Sequence, residues 1–239
     1  CMPGLGTIIN TAAMIAGGLL GLLFKNLLTK SMEDTLLKAS SVCVLFIGIG
    51  GAMQHMLKIT DGTLETSGSM MLIICFVLGS IVGELLDIEG AFERFGAWLR
   101  KKTHNESDTG FLSAFIHASL TVCIGAMAIV GSIQDGLLGD SSLLCAKAAL
   151  DAVIILVMTA SMGKGCIFSA IPVALLQGGV TLLSRVLAPV FTEAAIANLS
   201  YTGSVMIFCV GLNLVWGKKI KVANLLPTLV FAVLYALVF

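Results

Sequence analysis

The sequence predicts an all-α protein that crosses a membrane about eight times. Of its 239 residues, 57% are hydrophobic and 12% are charged, whereas soluble domains carry about 25% charged residues. The mean hydropathy of +1.02 implies more apolar surface than one soluble core can bury. The apolar residues form near-continuous runs and not the short alternating segments of a membrane β-barrel. Because the bilayer core offers no water to the backbone, such runs are expected to form helices.

The composition also excludes several functional classes. Fourteen basic and 14 acidic residues give a net charge of zero, so no basic face for a nucleic-acid partner is expected. Disorder and a soluble enzyme are excluded by the hydrophobic content. The sequence has no HExxH, GxSxG or Walker A motif, and its cysteines form no CxxC or Cys/His cluster. We therefore expect neither enzyme activity, nor a cofactor, nor a metal site.

Eight apolar segments have the length of about 17–25 residues that a membrane-crossing helix needs. We number them from first to eighth along the chain: Gly4–Phe24, Leu36–Met56, Ser69–Leu86, Phe111–Ile133, Leu143–Met162, Cys166–Val190, Ile196–Trp216 and Val222–Phe239. They are expected to form a single transmembrane domain over residues 1–239. The first, third, fifth and seventh loops hold eleven of the 14 Lys and Arg residues. By the positive-inside rule these loops are cytoplasmic, and both termini are then extracytoplasmic.

The third loop contains an amphipathic stretch, Ile88–Lys102. Its apolar residues recur at helical spacing and its charged residues take the other face. This pattern predicts a cytoplasmic helix, followed by a polar link that completes residues 88–108. Two placements remain open: the inner membrane interface, or the cytoplasmic face of the bundle.

The two ends of the chain resemble each other. Gly17–Leu20 in the first segment is similar to Gly178–Thr181 in the sixth, and Ser41–Gly48 is similar to Ser204–Gly211. The similarity predicts repeat units over residues 4–87 and 166–239, although apolar sequences also resemble one another by chance. The first and sixth segments lie five crossings apart and therefore run in opposite directions. The repeat would then be inverted, as in many secondary transporters.

Glycines at helical spacing predict that helices approach one another closely. The pairs are Gly17 with Gly21 and Gly79 with Gly83. Glycine-rich faces also make a homodimer a possible assembly.

Lys147 and Asp151 are the most informative polar residues. They are four residues apart in the fifth segment, so they share one helix face. With an outer boundary near Leu143, they lie about 6 Å and about 12 Å into the apolar zone. A lone charge at the centre of a membrane helix costs about 2.5–3.5 kcal/mol, so pairing is expected. The pair is either an ion- or proton-responsive site on a pathway or a structural ion pair between helices.

The end of the fourth segment, Gly131–Asp140, combines two carboxylates, an amide and three glycines. One interpretation is a broken or re-entrant helix that offers Gln134 and Asp135 to a substrate or cation. The other is a tight external hairpin in which Asp140 caps the next helix.

Three more polar residues interrupt apolar segments: Asn10, His117 and Gln177. His117 is a candidate proton relay. Asn10 and Gln177 lie in the related first and sixth segments and are candidates for lining a substrate site. Interhelical hydrogen bonds would also explain all three residues.

Several of these motifs together resemble one known family. They are Gly6–Asn10 with Gly17–Gly21, Gly83–Glu89, Cys123–Gly136, Lys147–Asp151, Phe168–Ile171 with Gln177–Gly178, and Ala223–Pro227. The chain is similar over nearly its whole length to the YdfK/YqgA-like bacterial inner-membrane proteins, domain of unknown function 554. The resemblance implies a multi-pass protein of the bacterial inner (plasma) membrane with a general transporter label. It implies no particular ligand.

We therefore expect a secondary transporter or permease for a small polar solute or ion, with proton coupling as an option. Asp151 and Lys147 would titrate, and the site would be lined by Asn10, Gln134, Asp135 and Gln177. A passive channel using the same residues is one alternative. A non-transporting membrane scaffold or sensor is the other.

Overall fold

The computed structural model describes residues 4–25, 29–60, 62–103, 108–123, 126–187 and 189–238. Its α-helices are α1 (Leu5–Lys25), α2 (Lys30–Met56), α3 (Ser69–Leu86), α4 (Ile88–Lys102), α5 (Phe111–Cys123), α6 (Ala126–Leu138), α7 (Ser142–Met162), α8 (Ala170–Leu182), α9 (Ser184–Leu187), α10 (Glu193–Trp216) and α11 (Pro227–Val238). Short 3-10 helices, Lys164–Ser169 and Val222–Leu225, precede α8 and α11.

The prediction of an all-α protein is confirmed. Within the described ranges, strands occur in a single hairpin between α2 and α3, made of β1 (Leu57–Thr60) and β2 (Thr63–Thr66). The two strands are antiparallel, with Lys58 opposite Glu65 and Ile59 opposite Leu64. This hairpin was not predicted from the sequence.

Five helical stretches of the described chain are long and apolar enough to cross a membrane: Leu5–Lys25, Ser69–Leu86, Ser142–Met162, Lys164–Leu182 and Glu193–Trp216. A sixth candidate is the pair α5 and α6, whose axes are bent by 61°. Two further apolar helices, Ser41–Met56 and Val222–Val238, are shorter. The number of candidate spans from length and composition is thus five or six.

Large hydrophobic side chains lie exposed on the outer faces of these helices. Phe46, Leu85 and Leu182 are 69%, 80% and 86% exposed, and many others resemble them. Soluble monomers rarely expose so much contiguous apolar surface. This outer surface is typical of helices that face lipid.

Three helix pairs pack extensively on each other: α1 with α7, α2 with α10, and α3 with α11. Glycines permit the close approach in each pair. A Cβ atom at Gly17 would clash with the carbonyl oxygen of Ala152, and one at Gly48 would lie 2.5 Å from the amide nitrogen of Phe208. One at Gly83 would clash with the carbonyl of Asn224.

The same contacts give the relative directions of the helices. Along α1, Gly17 contacts Ala152 and Gly21 contacts Leu156, so α1 and α7 are parallel. Along α2, contacts move backwards on α10 as the chain advances, from Leu45–Gly211 to Gly48–Phe208 to Gly51–Ser204. The pair α2 and α10 is therefore antiparallel. By the same criterion α3 runs antiparallel to the segment formed by the 3-10 helix Val222–Leu225 and α11, through Gly83–Asn224 and Gly79–Thr228.

The amphipathic helix α4 occupies the expected range and begins at an unusual cap. Asp87 has a positive φ of 48°, and its Oδ1 accepts a hydrogen bond of 3.2 Å from the Gly90 amide. The hydrogen bond from Arg94 keeps the pKa of the Asp87 carboxyl below its usual range. The buried face of α4 packs on α5, where Gly96 contacts Phe115, while Trp98 is 56% exposed. The predicted link after α4 falls partly on residues 104–107, which lie outside the described residues.

We expect Gly17→Ala to lower the free energy of unfolding by about 1–3 kcal/mol, because the new methyl group meets a backbone carbonyl that cannot move aside. Gly50→Ala is the matched control, since a Cβ atom at Gly50 has no neighbour within 4 Å. It should be neutral or slightly stabilising, because glycine is a poor helix former. Thermal unfolding of the detergent-purified variants measures both effects. Equal midpoints for the two variants would contradict the packing of α1 on α7.

Candidate functional site

Four buried side chains from three helices form one hydrogen-bonded group, which we call the Asp151 network. Its members are Asn10 of α1, Lys147 and Asp151 of α7, and Gln177 of α8. Lys147 Nζ donates to both carboxylate oxygens of Asp151, at 2.8 Å and 2.7 Å. Asn10 Nδ2 donates to Asp151 Oδ2 at 3.0 Å and to Gln177 Oε1 at 3.3 Å. The structure thus brings together four of the seven residues that the sequence analysis selected.

Burial makes this network energetically important. Asn10 and Gln177 are fully buried, while Asp151 and Lys147 are 2% and 7% exposed. Charges in such surroundings are tolerated when they are paired and hydrogen-bonded. Carboxylate and ammonium neutralise each other, so the network has no net charge.

The helix geometry explains how these residues meet. The four-residue spacing of Lys147 and Asp151 places both on one face of α7. That face is directed toward α1, which lies close because Gly6 packs directly on Leu144 and Gly17 on Ala152. Asn10 lies between these two contacts and reaches the carboxylate.

Lys147 has a second partner outside the network. Its Nζ donates to the carbonyl oxygen of Val122 at 2.9 Å. Val122 lies in the last turn of α5, where helix carbonyls lack partners within their own helix. The ammonium group therefore ties the end of α5 to α7, which adds a fourth helix to the assembly.

The network contains unused hydrogen-bonding capacity. Asn10 Oδ1 and Gln177 Nε2 are buried and have no hydrogen-bond partner among the described residues. The first is an acceptor and the second a donor.

A cavity of about 400 Å³ lies near the start of α1, one helical turn from the network. We call it the Gly4 cavity; it is lined by Gly4, Thr7, Ile8, Gly136, Gly178, Thr181, Leu182, Ser184 and Arg185. The hydroxyls of Thr7 and Thr181 have no hydrogen-bond partner within the described ranges. Sequence reasoning missed both residues. Their spacing could have identified them, because Thr7 precedes Asn10 by three residues and Thr181 follows Gln177 by four. Residues at these spacings lie on the same face of a helix.

Asp135 lies beside this cavity and holds the beginning of α1. Its Oδ2 accepts hydrogen bonds of 3.1 Å from the amides of Gly4 and Gly6. Amides at a helix N-terminus lack intrahelical acceptors, and the helix dipole favours a negative charge there. Asp135 is fully buried, whereas Gln134 is half-buried and lies outside the Asp151 network.

The segment Gly131–Asp140 is helical as far as Leu138, where α6 ends. Gly139 then has a φ of +67°, and Asp140 Oδ1 accepts a hydrogen bond of 3.0 Å from the Ser142 amide. A turn thus follows α6, and the N-cap residue of α7 is Ser141, next to Asp140. The bend of the fourth segment lies earlier, between the end of α5 and the start of α6.

His117 lies toward the opposite end of the bundle. Its Nδ1 is 2.8 Å from the carbonyl oxygen of Ser113, and the residue lines a cavity of about 140 Å³, which we call the His117 cavity. The polar residues that share this cavity are Glu89, Glu93, Ser113, Asn213 and Lys218. His117 is therefore separate from the Asp151 network.

Glu89 is a third buried acid, besides Asp151 and Asp135, and sequence reasoning did not single it out. It is 5% exposed, accepts a 3.0 Å hydrogen bond from the Ala223 amide and pairs with Lys218 at 3.1 Å. Its own amide donates to Asn224 Oδ1 at 2.7 Å. These bonds fix α4 to the 3-10 helix Val222–Leu225.

An apolar outer surface, several membrane-length helices and a buried charge pair define a multi-pass α-helical membrane protein with a polar centre. The chain belongs to the family described as "Protein of unknown function (DUF554)", which matches residues 5–237. The family predicted from the sequence motifs is thereby confirmed.

Two relatives are similar over nearly their full length. The "Uncharacterized membrane protein YdfK" of Bacillus subtilis (strain 168) is 26% identical over 224 residues, which cover 94% of this chain and 92% of that protein. The "Uncharacterized protein YqgA" of Escherichia coli (strain K12) is 25% identical over 235 residues, covering 95% and 94%. No solved structure matches the chain significantly.

We expect Asp151→Leu to destabilise the protein by about 3–5 kcal/mol, because it leaves the buried Lys147 ammonium without its counter-charge. The double variant Lys147→Met/Asp151→Leu should recover most of this loss, since it removes both charges and retains apolar volume. Unfolding of the wild type, the single variants Asp151→Leu and Lys147→Met, and the double variant in detergent gives the coupling energy. Additive effects of the two single substitutions would show that the pair does not stabilise the bundle as a unit.

Proposed function

We propose that this protein is a secondary transporter or permease for a small polar solute or ion, with Asp151 as its coupling residue. The observation that carries the proposal is the Asp151 network, in which a neutralised charge pair and two amides link α1, α7 and α8. Ionisable residues inside membrane helices are costly and are typical of ion and proton pathways. A purely structural contact between these helices needs no charge, because apolar packing serves as well.

Eight crossings of the membrane agree with the helix directions. In an eight-span arrangement α1 and α7 are the first and fifth spans and should be parallel, as their contacts require. In this arrangement α2 and α10 are the second and seventh spans. Likewise, α3 and α11 are the third and eighth spans. These pairs should be antiparallel, and their contacts are. The bent pair α5–α6 is then the fourth span, and the stretch Lys164–Leu182, which contains α8, is the sixth.

The packing of α2 on α10 supports an inverted repeat. In the proposed alignment Gly48 corresponds to Gly211 and Leu45 corresponds to Phe208. Gly48 contacts Phe208, and Gly211 contacts Leu45. The contact of Gly48 with Phe208 is thus matched by the contact between their counterparts, Gly211 and Leu45. Such matched contacts are expected around a pseudo-two-fold axis in the membrane plane.

The two cavities favour a transporter over a passive channel. The Gly4 cavity lies at one end of the bundle and the His117 cavity at the other. Between them lies the Asp151 network, where Lys147 also bonds to Val122 of α5. A closed polar layer between two opposed cavities is typical of alternating access, whereas a channel needs a continuous path.

The charge pair also provides a means of coupling. Protonation of Asp151 would leave the ammonium of Lys147 buried without a counter-charge, which is unfavourable. Binding of a proton or cation at this position would therefore favour a rearrangement that hydrates or re-pairs Lys147. A homodimer has weaker support, because Gly17, Gly21, Gly79 and Gly83 are used for packing within the chain.

The proposal predicts that Asp151→Asn lowers solute flux by about tenfold or more, equivalent to about 1.4 kcal/mol of barrier. Purified protein in liposomes that contain a pH-sensitive dye is given gradients of alanine, acetate, glycerol, urea, Na⁺ or K⁺, and uptake and proton movement are recorded. Asp140→Asn is the matched control, because Asp140 is an exposed acid whose hydrogen bond among the described residues is to Ser142 in its own turn. Its flux should equal that of the wild type. If every probe moves at the same rate in Asp151→Asn and wild type, Asp151 is not the coupling residue.

The eight-span arrangement predicts opposite accessibility for two exposed loops. Cysteines introduced at Asp140 and Lys101 in a cysteine-free background should react with a membrane-impermeant maleimide from the extracytoplasmic and cytoplasmic side, respectively, because the basic third loop remains inside. Labelling of spheroplasts and of inverted vesicles measures this. Labelling of both positions from the same side would refute the arrangement.

A further inference from the structure

The β1–β2 hairpin has one apolar face and one polar face. Side chains of a strand point alternately to its two faces, and Ile59 lies opposite Leu64 in the register. These two side chains therefore share one face with Leu57, and we call it the Ile59–Leu64 face. Lys58 lies opposite Glu65 on the other face, so the two opposite charges there balance.

The described part of the chain covers neither face of the hairpin. Ile59 and Leu64 are 80% and 67% exposed, and Lys58 and Glu65 are exposed on the other side. A two-stranded hairpin is at best marginally stable in water and needs a further layer packed on its apolar face. The Ile59–Leu64 face therefore needs a cover that the described residues do not supply.

The hairpin is held close to the surface of the bilayer. In the proposed eight-span arrangement it joins two crossing helices, and both are short for a hydrocarbon core of about 30 Å. At 1.5 Å per residue, the apolar stretch Ser41–Met56 is about 24 Å long and α3 is about 27 Å long. β1 begins at the residue after α2 ends, and only Ser67 and Gly68 separate β2 from α3. The hairpin therefore begins and ends where hydrocarbon gives way to headgroups.

The backbone of the hairpin excludes a deeper position. Each strand pairs on one side only, so the N–H and C=O groups along its other edge have no partner in the sheet. Lipid tails cannot bond to such an edge, whereas water and headgroups at the bilayer surface can. A hairpin lying flat at this level turns its apolar face to lipid and turns Lys58 and Glu65 to water.

The hairpin by itself is too small to bind a second copy of the chain or another protein stably. A stable interface takes about 20–30 residues from each partner, whereas the two strands have four residues each. Its apolar face instead continues the exposed apolar surface of the helices on either side. Met53 near the end of α2 and Met70 near the start of α3 are 48% and 67% exposed.

We propose that the Ile59–Leu64 face is a lipid-binding surface, which inserts among the headgroups and the adjoining part of the acyl chains. It fixes the depth at which α2 and α3 end, because outward movement of either helix would carry Ile59 and Leu64 into water. The charges of the polar face balance, so neutral phospholipids suffice as the partner. This inference goes beyond the proposed transport function and uses, from the proposed arrangement, the crossings of α2 and α3.

The test places one tryptophan on either face of β2 in the full chain, reconstituted in phosphatidylcholine liposomes. The background is Trp98→Phe/Trp216→Phe, which removes both tryptophans of the sequence. Both are largely exposed, so their replacement should be tolerated. Leu64→Trp reports on the apolar face, and Glu65→Trp, one residue further along the strand, is the matched control. Fluorescence is recorded with phosphatidylcholine brominated in the acyl chain near the headgroup, because bromine quenches tryptophan on contact.

The tryptophan of Leu64→Trp should emit at shorter wavelength and lose most of its emission in brominated liposomes. That of Glu65→Trp should instead be quenched by acrylamide added to the water. Equal bromine quenching of the two variants, or stronger quenching of Glu65→Trp, would overturn the proposal. Short-wavelength emission from Leu64→Trp without bromine quenching would also overturn it, because protein and not lipid would then cover the face.

Ile59→Trp and Lys58→Trp repeat the comparison on β1, in case a substitution in β2 disturbs the hairpin. The same order is expected, with Ile59→Trp quenched by bromine and Lys58→Trp by acrylamide. These readouts do not depend on solute flux. Failure here therefore leaves the role of Asp151 in transport unaffected, and an Asp151→Asn variant with unchanged flux leaves the lipid-binding surface unaffected.

Discussion

The bilayer core offers no water for hydrogen bonding, so a charged side chain on a membrane helix depends on partners within the protein. Asp151 meets this requirement through Lys147 and Asn10, and Asn10 in turn bonds to Gln177. The ammonium group of Lys147 also reaches Val122 at the end of α5. One buried carboxylate thus fixes the relative positions of α1, α5, α7 and α8.

Close helix packing makes these short distances possible. A network of small amides and one carboxylate spans three helices only if their backbones nearly touch, and glycines permit that approach. Gly17 against Ala152 brings α1 onto α7, and Gly48 against Phe208 brings α2 onto α10. In lipid, where apolar contact between helices has no hydrophobic driving force, such packing and the buried hydrogen bonds hold the bundle together.

The polar residues fall into three groups with different roles. The Asp151 network is central and closed, with one free donor and one free acceptor. The Gly4 cavity approaches it from one end through Thr7 and Thr181, while the His117 cavity lies at the other end beside Glu89. Under the proposed transport function, these three groups would serve as the solute path, the coupling charge and the second opening.

The sequence by itself determined the all-α class, the apolar segments, the range of α4 and the pairing of Lys147 with Asp151, because these follow from composition and from spacing along one helix. The sequence also identified Asn10 and Gln177 as candidate site residues, because placing an amide side chain in an apolar membrane segment costs free energy. Tertiary structure alone decided that these two amides meet Asp151, that Asp135 caps α1 and that His117 lies elsewhere. Contacts between helices distant in sequence depend on which glycine faces pack together, and no local spacing encodes that choice.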